Sequence, residues 1–153
     1  TLKITNIEEN IDSTLLFMRH RFNENEIFIE KNYGDTPNIL CNPGKLNQVF
    51  MNLLMNAFYA VEHRADKTIK GHILIATTLV NNELVISFED NGQGMSEETK
   101  KKLFDPFYTT KDVGEGTGLG MSIVHGIVIN HKGTVQIEST LTKGSKISVC
   151  LPI

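Results

Sequence analysis

Three short stretches of the 153-residue chain hold residue types at spacings that could do chemistry. The first is a polar stripe, Gln48, Asn52, Asn56 and Tyr59, recurring about one helical turn apart inside an apolar run. Asn is a poor helix former, so two of them a turn apart need a reason. They either form a solvated helix face or aim amide oxygens at a ligand, and a hard cation such as Mg²⁺ takes oxygen ligands. The second stretch ends a strand pattern. Leu84, Ile86, Phe88 and Asp90 share parity, which sets a carboxylate on the apolar side of a sheet, where it must find donors. Asp90-Asn91-Gly92-Gln93-Gly94 follows as D-x-G-x-G. That pattern suits a tight turn closed by an Asx bond, or a carboxylate accepting from the exocyclic amine of a bound ring. The third stretch is Gly114-Glu115-Gly116-Thr117-Gly118-Leu119-Gly120, opening a helix. It reads as a flexible loop or as an anion site made of exposed amides. The familiar phosphate motifs fail here. Counting G-x-G-x-x-G from Gly114 puts Leu119 at the third glycine, counting from Gly116 puts Met121 there, and Gly44-Lys45 is followed by Leu46.

The elements that must position these residues follow from periodicity. Ile4, Ile7, Ile11, Leu15 and Met18 predict an amphipathic helix over the first twenty residues. Glu26 to Lys31 reads as a short strand, and Tyr33 to Asn42 as turn-rich with room for another. Asn42 caps a helix that starts with Pro43 and runs to about His63, burying Leu46, Val49, Phe50, Leu53, Ala57, Ala60 and Val61. Ile73–Val80 and Glu83–Asp90 are strands joined by Asn81-Asn82, residues that tolerate positive φ. Ser96 caps a short helix, Phe104 to Thr117 is a loop, and Leu119 to Asn130 is a helix that Gly133 ends. Thr134–Ser139 and Ser145–Leu151 close the chain as a strand pair. Hairpins mixed with crossovers predict a two-layer α/β (α+β) sandwich: a mixed, mostly antiparallel sheet of about five strands with about three helices on one face. With no repeat or linker, residues 1–153 read as one domain.

Composition narrows the function classes. Fifteen basic residues against eighteen acidic ones give a net charge of −3, which argues against a nucleic-acid partner. The best apolar run, Ile73 to Val80, is broken by two Thr and is far too short to span a bilayer, and no signal-peptide pattern is visible. Cys41 and Cys150 stand apart with no other ligand near them in sequence, so both read as buried thiols of a cytoplasmic protein. Six of the 12 glycines fall between Gly92 and Gly120, which locates function there.

Taken in order, "NLLMNA", "DNGQGM", "FDPFYTTK" and "GTGLGMSIV" resemble the N, first glycine, F and second glycine boxes of sensor histidine kinases. These belong to the gyrase, chaperone, histidine kinase and mismatch-repair ATPases that share the Bergerat nucleotide fold. The resemblance covers essentially the whole chain. It implies ATP and Mg²⁺ as cofactors, with Asn56 as the Mg²⁺ ligand and Asp90 as the adenine-binding acid, Gly92, Gly94 and Met95 shaping the pocket beside it. Tyr59 and Ala60 fall on the nucleotide side of the helix. Gly116, Thr117, Gly118, Leu119 and Gly120 match the phosphate-facing segment. Phe104 to Thr117, including Phe107, matches the lid over the nucleotide, with Lys111 as a phosphate contact. Ser145 matches the Gly-Ser/Thr pair near the base. Asn52 stands where hydrolytic relatives carry a Glu base, and an amide cannot take a proton, which favours phosphoryl transfer over hydrolysis. Many members carry a basic residue where this chain has Tyr59, and the closer resemblance is to the nitrogen-regulation-type branch.

Such kinases phosphorylate a His on a dimerisation helix, usually followed by an acidic residue. Here His20, His63, His72, His125 and His131 are followed by Arg, Arg, Ile, Gly and Lys. The chain is therefore expected to be a monomeric catalytic fragment. Its partners would be the dimerisation (phosphoacceptor) domain of a parent kinase and, indirectly, a response-regulator receiver domain. It would contact neither nucleic acid nor membrane itself, although the parent can be membrane-anchored. Two other readings compete: a conformational ATPase of the gyrase or mismatch-repair type, and a non-catalytic nucleotide-dependent docking module.

Overall fold

Asn42 opens the central helix as expected: its side chain accepts from the Lys45 amide at 3.2 Å, and Pro43 occupies the first turn, where its missing N–H costs nothing. The resulting helix, α2 (Pro43–Glu62), buries Leu46, Val49, Phe50, Leu53, Leu54, Ala57 and Val61. Its end is tied down by the buried Arg64, whose guanidinium donates to the Val61 carbonyl and to the Ile69 carbonyl, each at 2.8 Å. A cation at a helix C-terminus also meets the favourable end of the dipole.

The structure is a computed structural model and describes residues 1–19, 27–106 and 120–153. Besides α2 it contains β1 (Lys3–Thr5), α1 (Ile7–Met18), β2 (Ile27–Tyr33), β3 (Ile39–Cys41), β4 (Gly71–Val80) and β5 (Glu83–Asp90). The chain continues through α3 (Glu97–Lys102), α4 (Gly120–Asn130), β6 (Thr134–Thr140) and β7 (Gly144–Pro152). Five strands form one sheet in the order β2-β4-β5-β7-β6, and β1 pairs with β3 as a separate two-stranded sheet. β2 and β4 run parallel, and the other neighbours of the large sheet are antiparallel. This is the mixed two-layer sandwich that the hairpin pattern predicts. Asn81 and Asn82 take φ of 49° and 62°, the left-handed pair that a two-residue hairpin link needs.

One face of the sheet carries the core. Ile73, Ile75, Leu84, Ile86, Phe88, Ile147, Val149 and Leu151 alternate inward and are buried against α2, with α1 and α4 packed on α2. The two cysteines are free and buried, as their isolation in the sequence suggests.

The N-terminus departs from the periodic reading. Ile4 matches the helical spacing yet lies in β1, 70% exposed. Asn6 is the reason: its side chain accepts from the Glu9 amide at 3.0 Å and starts α1 at Ile7, while Lys3–Thr5 satisfy their backbone groups against Ile39–Cys41. β2 also runs two residues past Lys31, because its ladder with β4 continues to the Tyr33–Thr77 pair, and the Tyr33 hydroxyl donates to Asp12 on α1 at 2.8 Å.

Candidate functional site

Asp90 ends β5 on the core face, beside buried Phe88 and Ile86, and is itself 8% exposed. One carboxylate oxygen accepts from the Gly92 amide at 2.9 Å, which is the Asx closure foreseen for D-x-G-x-G. Burial pushes its pKa up to about 6, while the Gly92 and Ser145 amides pull the other way. Desolvation wins: two backbone donors do not replace the water that this carboxylate has lost.

The loop after Asp90 is held on both sides. The Gln93 amide donates to the Ala60 carbonyl at 3.0 Å, near the end of α2, and the Gln93 carbonyl accepts from the Thr142 amide at 2.7 Å. Gly92 lies so close to the Ala60 backbone that an added Cβ would stand 2.5 Å from its carbonyl oxygen. Gly94 takes φ +70° and abuts the Thr140 carbonyl, so a side chain there is excluded by conformation and by space. The Met95 amide then donates to Ser139 Oγ at 2.8 Å. The D-x-G-x-G segment is thereby pinned between α2 and the β6–β7 hairpin.

Ser145 points inward beside Asp90, its register partner across β5 and β7, and is 8% exposed. Its hydroxyl lies 2.7 Å from that of Ser139. On α2, Asn52 donates through Nδ2 to the Gly120 carbonyl at 3.3 Å, which joins the stripe to the start of α4. Asn56 is half-buried, one turn further toward the Gly92 contact at Ala60, and makes no hydrogen bond among the described residues. Tyr59 stacks on His63 with ring centroids 4.0 Å apart. Gln48, the first member of the stripe, is simply exposed.

The fold therefore brings together Asn52, Asn56, Tyr59 and Ala60 on α2, Asp90 to Met95 after β5, Ser145 on β7, and Gly120 at the start of α4. Phe107, Lys111, Gly116, Thr117, Gly118 and Leu119 lie outside the described residues, as does most of the expected lid. Sequence reasoning missed Ser139 and the backbone straps at Ala60 and Thr142. Ser139 was within reach, since counting the hairpin outward from its turn pairs it with Ser145. The straps involve main-chain groups, which carry no residue signature.

No three His, Cys, Asp or Glu side chains cluster as a metal site among the described residues. No helix among them is long and apolar enough to cross a membrane.

Residues 41–153 match the family described as histidine kinase-, DNA gyrase B-, and HSP90-like ATPase, and the chain belongs to that family. It is 33% identical to the sensor histidine kinase ZraS of Escherichia coli (strain K12), an alignment covering 99% of this chain and 31% of that protein. The catalytic domain of histidine kinase ThkA matches with a TM-score of 0.84 at 25% identity, covering 99% of this chain and 97% of that one. Full-length ShkA in complex with AMPPNP matches with a TM-score of 0.85 at 25% identity, over 99% of this chain and 31% of that one. The chain spans only 31%, 15% and 32% of the first three curated relatives, which are sensor or sporulation kinases.

Proposed function

We propose that the chain binds Mg-ATP and transfers the γ-phosphoryl group to a histidine on a separate dimerisation domain of a parent kinase, acting in the cytoplasm. The observation that carries the nucleotide half is Asp90, a buried carboxylate beside the clamped glycine loop whose pKa burial raises to about 6. The 6-amino group of adenine would be a further donor to it. ShkA, a structural relative, was solved with AMPPNP, in keeping with this reading.

Asn56 would hold the metal. A single amide oxygen suits Mg²⁺, which keeps several waters and completes its shell with substrate phosphates instead of a protein cage. When bound, the ion would neutralise charge on the transferring phosphoryl group. Gly120, with the glycines before it, would present amides to the phosphates at the start of α4. Asn52 is uncharged and already committed to the Gly120 carbonyl, so it would not activate water, which favours transfer to an amino-acid acceptor.

The acceptor comes from elsewhere on this reading. The four described histidines are all engaged. His131 accepts from the Asn42 amide through Nε2 and donates through Nδ1 to the Ile127 carbonyl. His72 pairs with Glu30, His63 stacks on Tyr59, and His125 stacks on Phe104. Incubation with γ-labelled ATP should leave an acid-labile, base-stable phosphate on an added dimerisation domain and none on this chain alone. Labelling of the isolated chain, or none in the mixture, would overturn the transfer assignment.

Asn56→Ala removes one metal oxygen without touching the buried stripe of α2. Folding should survive, and ATP affinity in the presence of Mg²⁺ should fall by roughly tenfold or more, the loss of an interaction to a charged group. Calorimetry with and without Mg²⁺ checks this: the mutant should show little Mg²⁺ enhancement, and an unchanged enhancement would remove Asn56 from the metal.

A further inference from the structure

We propose that Ser139 is a positioning residue for base selection: it draws the hydroxyl hydrogen of Ser145 away from the pocket, so that the rim beside Asp90 offers a base only acceptors. The inference rests on the nucleotide-binding reading above.

Asp90, Ser145 and Ser139 lie in one row across β5, β7 and β6, because Ser145 is the register partner of both others. Directly opposed residues project from the same face of a sheet. The Ser139 hydroxyl has three neighbours: the Gly144 carbonyl at 3.1 Å, the Met95 amide at 2.8 Å and the Ser145 hydroxyl at 2.7 Å. A carbonyl has no hydrogen to give, so Ser139 is the donor in its bond to Gly144, and its hydrogen is assigned to that carbonyl, a stronger acceptor than a hydroxyl. An amide N–H can only give, so Ser139 accepts from Met95. A serine hydroxyl holds one hydrogen and two lone pairs. With that assignment Ser139 meets Ser145 as acceptor and Ser145 donates, one of the two senses that the 2.7 Å contact between the hydroxyls allows.

That leaves Ser145 with lone pairs alone, next to a carboxylate that, once ionised, also only accepts. Two neighbouring acceptors suit an exocyclic amine and repel a 6-oxo group. The arrangement does not hang on one rotamer. Met95 belongs to the loop strapped to Ala60, and Gly144 (φ +131°) packs against the Asp90 carbonyl, so backbone from separate segments sets the direction of the Ser139 bonds.

The test is competition binding of ATP and inosine triphosphate, which differ at the 6-position and N1, to the 153-residue chain as wild type, Ser139→Ala and Ser139→Thr. Wild type should prefer ATP by about 100-fold, since a site with committed polar groups rejects a mismatched edge. In Ser139→Ala the Ser145 hydroxyl loses its acceptor and can turn to donate to a 6-oxo group, so the preference should shrink about tenfold, the scale of one neutral hydrogen bond. Ser139→Thr keeps the hydroxyl and should keep the preference. A merely structural role lowers both affinities equally, so an unmoved ratio in Ser139→Ala overturns the proposal. If that variant does not fold, Ser139→Cys, a weak donor and acceptor of nearly the same size, should narrow the ratio, and an unmoved ratio there overturns it equally. Wild type that binds both nucleotides alike would overturn this inference while leaving the nucleotide site standing. Wild type that binds neither would remove the site and the inference together.

Discussion

Asp90→Asn should weaken ATP binding by about 10- to 100-fold, because a charge-assisted bond worth about 1.5–3 kcal/mol gives way to a weaker neutral one. It should also make the chain without nucleotide more stable. Folded Asp90 keeps its proton to about pH 6 against an ordinary value of 3.8. Its contribution to stability is therefore fully present below about pH 3.8 and is lost as pH rises through 6. Above that, the buried charge costs on the order of 2–3 kcal/mol. Asn keeps an oxygen for the Gly92 amide but turns an NH₂ toward the Ser145 amide, so a net gain of about 1–2 kcal/mol at pH 7 is expected. Thermal melts should show that gain shrinking below pH 6. Binding should follow the same proton: wild-type affinity falls as pH drops below 6, and the Asn variant shows a flatter profile, which separates Asp90 from titration of the nucleotide's own phosphates. Unchanged ATP affinity in Asp90→Asn would remove the carboxylate from the base site. The narrower margin expected between ATP and GTP comes from the same amide, which can rotate to offer a donor.

Gly94→Ala should be the most damaging small substitution in the site. At φ +70° an L side chain costs about 1–2 kcal/mol, and the added carbon runs into the Thr140 carbonyl, a backbone atom that cannot swing aside. Overpacking of that kind adds about 1–3 kcal/mol, so a loss of about 2–5 kcal/mol is expected by denaturant titration. The loop would have to leave either Ala60 or the β6–β7 hairpin, and ATP binding should fall with it. Gly126→Ala is the matched control. An added Cβ there meets nothing within 4 Å in the middle of α4, so stability should rise by about 0.5–1 kcal/mol. Equal stabilities for the two variants would mean that the D-x-G-x-G loop is not clamped as described.

Much of this protein is legible in its residues because the decisive signals are local. Asn42-Pro43 marks the start of α2, and Asn81-Asn82 supplies the left-handed pair that its hairpin requires. The parity of Leu84, Ile86, Phe88 and Asp90 buries the acid whichever strand lies beside it. These follow from capping, φ preference and the two-residue strand period, all of which act within a few residues. The order of the four boxes is likewise a property of the chain alone.

What only the tertiary structure decided is whatever depends on groups distant in sequence. Ile4 has the spacing of a helix, but pairing with Leu40, 36 residues on, draws it into a strand, since backbone bonds to β3 compete with one more turn of helix. Asn52 reads as a free amide until α4 brings the Gly120 carbonyl to it. The raised pKa of Asp90 comes from the loss of water around it, which no spacing states, and it is held in check in part by the Ser145 amide on another strand. The contact between the Ser139 and Ser145 hydroxyls, and the Met95 amide and Gly144 carbonyl that share Ser139 with it, come from the loop after β5 and the start of β7. Residue types specify which bonds can form, and packing selects which of them do, because each donor hydrogen can be spent only once.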